Sequence, residues 1–116
     1  MKTHMTEHTL FDAMKDCGLV TGTLVQSKCG HDVGHVYLVA SEEESFCFLV
    51  DGVKRTMTRP KKKRRKHLRA LCQMDCPVQW FFALRTLLED QQNAKIRKEI
   101  ERLIDSHRIG DMKEGE

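Results

Sequence analysis

From Gly22 onward the chain reads first as strands and then as helices. Thr23-Leu24-Val25-Gln26-Ser27-Lys28 is rich in β-formers and ends at Cys29-Gly30-His31-Asp32-Val33-Gly34, whose two glycines can supply the positive φ of a tight connection. A second strand is predicted over 35–40 and a third over 45–50, with the charged Ser41-Glu42-Glu43-Glu44 between them. Asp51-Gly52 is a strong hairpin signal, so the chain is expected to return as a fourth strand over 53–58, stopped by Pro60, which lacks a ladder N–H. A fifth short strand is predicted over 67–72. Three hairpins in fewer than about forty residues describe an antiparallel meander.

The last third is helical in pattern. Asp75-Cys76-Pro77 reads as cap and first turn, where proline costs no intrahelical hydrogen bond. Trp80, Phe81, Leu84, Leu87 and Leu88 form one apolar stripe, and Ile96, Ile100, Leu103 and Ile104 form another. At 100° per residue the second stripe is rotated by roughly 145° from the first, which predicts two helices with a break near Asp90 to Asn93. Residues 1–17 are a polar extension in which Leu10, Phe11 and Met14 suggest a short helix, and residues 110–116 are a polar tail. The expected organisation is thus a β-unit over 18–74, a helical hairpin over 75–109, and two appendages.

Length and composition then limit what such an assembly can do. With 116 residues, 40% apolar and 32% charged, the chain is too short for a barrel enzyme or a doubly wound dinucleotide fold and too apolar to be disordered throughout. Apolar runs such as 46–50 and 80–84 fall far short of the ~20 residues of a membrane span. The first residues show neither a signal-peptide nor a transit-peptide pattern, and the five cysteines do not suggest a disulfide framework, so reduced thiols and a cytoplasmic location are expected.

Charge is distributed unevenly. Ten basic residues and no acidic ones lie between Lys54 and Arg69 (Lys54, Arg55, Arg59, Lys61, Lys62, Lys63, Arg64, Arg65, Lys66 and Arg69), leaving ten basic against seventeen acidic elsewhere, a net of −7. A concentrated positive segment on a mildly acidic body is the footprint of a protein that meets a polyanion; a solvated charge run or a nuclear-import signal is the plainer explanation. Phe46 and Phe48 alternate on one strand face and are expected in the core, which leaves phosphate contacts to dominate binding over base contacts.

Two Cys/His groupings are candidates for zinc, Cys29-x-His31-x3-His35 and His67-x4-Cys72-x3-Cys76, but neither has paired Cys-x2-Cys spacing, and no cofactor is expected. No spacing sets a cysteine nucleophile beside a histidine base, so no enzymatic activity is expected.

The stretch from Leu24 to Val39, with its Gly30-x-Asp32-x-Gly34 loop, together with Asp51-Gly52 and the run Pro60-Lys61-Lys62-Lys63-Arg64-Arg65-Lys66-His67-Leu68, resembles the KOW domains of eukaryotic and archaeal large-subunit ribosomal proteins and of small bacterial RNA-binding proteins. The resemblance covers about 45 residues. It implies a small SH3-like antiparallel β-barrel, here followed by two C-terminal α-helices, that binds structured or ribosomal RNA without catalysis. By position, Lys28, Gly30, Asp32 and Gly34 would build the RNA-facing loop, and Lys61 to His67 the basic face. His31, Val33 and His35 stand where relatives often carry Arg or Lys, so this loop would gain positive charge only as pH falls. The alternative expectation is a protein-interaction module that docks through its helices and uses the basic run as a polyanion anchor.

Overall fold

The computed structural model describes residues 19–107 and 109, so the expected N-terminal helix and C-terminal tail lie outside the described residues. Five strands, β1 (Thr23–Ser27), β2 (Val36–Glu42), β3 (Phe46–Val50), β4 (Lys61–Arg64) and β5 (Leu68–Gln73), precede two helices, α1 (Pro77–Leu84) and α2 (Glu89–Ser106). Every strand pairing is antiparallel and the spatial order is β4-β3-β2-β1-β5. Among the described residues β4 and β5 do not pair, so the sheet is not closed.

It is nevertheless strongly curled. In a flat sheet β4 and β5 would lie about 19 Å apart, four inter-strand spacings of ~4.8 Å. Yet only the 3-10 turn Arg65–His67 separates them, and the four steps from Arg64 to Leu68 can span at most ~14 Å. The curl encloses one face, where Leu19, Val25, Tyr37, Val39, Cys47, Leu49 and Leu68 form a cluster. On the other face Leu24, Leu38, Ala40 and Val50 pack against Phe81 and Leu84 of α1 and Ile96 and Leu103 of α2. Period-2 alternation therefore sends apolar side chains both ways, as a sheet covered on both faces requires.

Two expectations need correction. The segment 53–58 is not a strand. Asp51 turns its carboxylate back so that Oδ1 accepts the Val53 and Arg55 N–H groups at 2.8 and 3.0 Å, and the Arg55 carbonyl accepts from Asp51 and Gly52. Local side-chain bonding thus competes successfully with a ladder, and only the isolated bridge Thr56↔Arg59 forms. The strand that pairs with β3 is the basic run itself, immediately after Pro60.

The helix break lies at Arg85 to Leu88, not at Asp90 to Asn93, and Gln91 to Ala94 are continuous helix. The polar Glu89-Asp90-Gln91 is an N-terminus: two acids sit in the first turn, favourable to the helix dipole, and the Gln91 Oε1 accepts the Leu88 N–H at 3.2 Å. Buried Gln92 secures the connection by donating from Nε2 to the Leu84 carbonyl at 3.1 Å. Leu87 and Leu88, counted in the first stripe, belong to the connection, and Leu88 is exposed.

Candidate nucleic-acid interface

The glycine loop follows from where β1 ends. Gly30 and Gly34 take φ of +94° and +90°, a region costly to other residues. Inside the loop the N–H groups of Val33, Gly34 and His35 donate to the carbonyls of Gly30, Ser27 and Asp32, so these three are not available to a ligand. Asp32 turns inward to accept from Tyr37 Oη at 2.7 Å, Ser27 Oγ at 2.8 Å and Lys63 Nζ at 2.9 Å, with Lys61 Nζ at 3.6 Å. Burial by itself would raise its pKa, but those hydrogen bonds and the Lys61 charge hold the carboxyl well below the usual carboxylate range. The Tyr37 hydroxyl is pushed far up, by burial first and then by the Asp32 carboxylate that it faces.

The basic run, once it is a strand, divides by parity. Lys61 and Lys63 point toward the enclosed face, and Lys63 also donates to the Cys29 carbonyl at 3.1 Å, reaching from the β4 edge to the end of β1. A Cβ at Gly30 would stand 3.2 Å from this ammonium, so the glycine also makes room for it. Lys62 and Arg64 point the other way and are exposed, opposite Phe48 and Phe46 respectively. Phe46 and Phe48 are therefore half-buried on the outer face, contrary to the expectation that they fill the core. Arg65 donates from Nε to the Glu43 carbonyl, and the His67 carbonyl accepts the Lys28 N–H at 2.8 Å. Lys28, Arg59, Lys66 and Arg69 are exposed.

A groove of about 760 Å³ opens between the glycine loop, the 51–55 turn and α2. It gathers side chains from distant parts of the sequence-expected site, His31 and His35, Lys54 and Arg55, and Lys61, and adds Arg97 from α2. Arg97 was not anticipated, because on a charged helix face nothing in the sequence distinguishes it from its neighbours. Its guanidinium donates to the Gly52 carbonyl at 2.6 Å and fixes the turn against the helix. The groove's carboxylates are Asp32, Asp51 and Glu101. Asp32 is already neutralised, and Asp51 lies 2.9 Å from His35 Nε2. Burial would raise the Asp51 pKa; the Arg55 and Val53 N–H groups and His35 bring it down. Lys62, Arg64, Lys66 and Arg69 do not line this groove and are exposed outside it.

Compared with known proteins, the chain matches no family model and no curated protein. Among the described residues no helix is long and apolar enough to cross a membrane.

Proposed function

We propose that this protein binds RNA, structured or ribosomal, without catalysing a reaction, in the cytoplasm, and that its sheet is a KOW-type SH3-like barrel. The single observation that carries the reading is the groove, where Lys54, Arg55, Lys61 and Arg97 converge from three chain segments beside His31 and His35, while the Asp32 and Asp51 carboxylates are engaged by Lys63 and His35. Such a concave cationic surface suits a phosphodiester backbone, neutralising charge and releasing counterions. The barrel reading is supported by the strand order, by the single 3-10 turn linking the two edges, and by the Lys63 reach across the open end.

The test is RNA affinity as a function of salt, with ribosomal RNA as the probe, for wild type and Lys54→Gln/Arg55→Gln. Each lost phosphate contact flattens the log K against log[salt] slope by ~0.7–0.9, so the double variant should bind more weakly with a slope lower by about 1.5. Equal affinities and slopes would remove the groove from the interface.

A second reading draws on α1, where Val78 and Phe82 are 77% and 72% exposed one turn apart. Exposed neighbours of this size suit a protein partner. A complex that survives nuclease treatment and is lost in Phe82→Ser would favour it.

A further inference from the structure

Strand β3 directs its small and large side chains against expectation. Cys47 and Leu49 point into the enclosed core and are fully buried, while the larger Phe46 and Phe48 face outward and are only half-buried. Neither ring belongs to the two core clusters or to the apolar side chains packed around them. The rings are two residues apart on one face, about 7 Å at the rise of an antiparallel strand. Cross-strand from them stand Arg64 and Lys62. Lys62 Nζ lies 4.5 Å from the Phe46 ring centroid and 5.8 Å from that of Phe48, and Arg64 Cζ lies 4.9 Å from Phe46.

Lysine on an edge strand blocks pairing with another sheet, and that accounts for Lys62. It does not account for two phenylalanines on the outer face, since a polar residue at 46 or 48 would serve an edge equally well. Aromatic faces interleaved with exposed cations match a ligand that offers flat π surfaces and negative charge in one repeating chain. Unpaired nucleotides are such a ligand: bases stack on phenyl rings or on guanidinium planes while the phosphates meet ammonium and guanidinium groups.

We propose that Phe46 and Phe48, flanked by Lys62 and Arg64, form a platform on which unpaired bases of an RNA strand stack. The proposal rests on the RNA binding argued above and specifies its substrate class: single-stranded segments, on the face opposite Lys61 and Lys63. In the free protein the Lys62 and Arg64 side chains lie over the rings, and their exposure lets them swing out to phosphates as bases take their place.

The experiment compares two labelled probes, a twelve-nucleotide oligouridylate and a twelve-base-pair RNA duplex, on the full chain and on Phe46→Leu/Phe48→Leu. The double variant should lose at least tenfold in affinity for oligouridylate, keep its salt slope, and bind the duplex within twofold of wild type. Unchanged oligouridylate binding, or equal loss for both probes, overturns the platform while leaving RNA binding intact. Failure of the wild type to bind either probe or ribosomal RNA overturns both proposals. Should the leucine variant lose its far-UV dichroism, ultraviolet cross-linking of oligouridylate to the wild type decides: adducts on Phe46 or Phe48 support the platform, and adducts confined to other residues refute it.

Discussion

Asp32 shows how one residue decides what its neighbours are free to do. Read in sequence, Lys61, Lys62 and Lys63 are three equal phosphate ligands. In the fold Lys63 is committed to Asp32 and the Cys29 carbonyl, with its side chain only 11% exposed, whereas Lys62 is exposed. Parity along a strand separates them, and a run of consecutive cations carries no alternation that would reveal it. Asp32→Asn should therefore cost about 1–3 kcal/mol in urea denaturation, because it leaves the part-buried Lys63 ammonium without its charge partner. Lys62→Gln should change stability by less than about 1 kcal/mol. The pH dependence has a definite sign. The Asp32 and Asp51 carboxyls both sit below their ordinary values, so the stability they contribute is complete above the unfolded pKa near ~4 and is lost as pH falls through the folded values. Melting temperature should decline below about pH 4, and more shallowly in Asp32→Asn.

At the level of elements, the strands that alternate cleanly were legible. β1, β2, β3 and β5 fall within a residue or two of where period 2 and the glycine turns place them. β4 was not, since four consecutive cations carry no hydrophobic alternation and the β-branched stretch before Pro60 looked the better strand. The two helices were legible from their out-of-phase stripes, but the position of the break was not, because a polar helix N-terminus and a polar linker look alike. Of the site, the groove's cations were legible as charge, while Arg97 and the outward Phe46 and Phe48 depended on tertiary placement. Gly52 is where the 51–55 turn meets α2. Its φ is +77°, and a Cβ there would fall 2.5 Å from the Asn93 carbonyl oxygen and 2.8 Å from Arg97 Cγ. Gly34, at φ +90°, has open space around it. Gly34→Ala should then cost only backbone strain, about 1–2 kcal/mol, whereas Gly52→Ala adds a steric displacement of α2 and should cost more, with weaker RNA binding as Arg97 shifts. Equal losses in thermal denaturation would show that the turn does not bear on the helix.

On the scale of the whole molecule, the sheet and the helices share a core, and the groove between the glycine loop, the 51–55 turn and α2 exists only because they do. The face of the sheet formed by Leu24, Leu38, Ala40 and Val50 is covered by Phe81, Leu84, Ile96 and Leu103, each at most 1% exposed. At about 1.5–3 kcal/mol for each fully buried side chain of this kind, those four contribute roughly 6–12 kcal/mol, comparable with the whole ~5–15 kcal/mol stability of an ordinary domain. A small sheet whose edges are not joined by hydrogen bonds has little else to draw on. Ending the chain after Met74 should therefore abolish cooperative unfolding: the shortened protein would show poorly dispersed amide resonances, bind a hydrophobic dye, and lose the groove along with its α2 wall. A sharp thermal transition in that shortened chain would mean instead that the curled sheet stands alone on its enclosed cluster around Val25, Tyr37 and Leu49, with the Lys61 and Lys63 contacts to Asp32 sufficient to hold its open end.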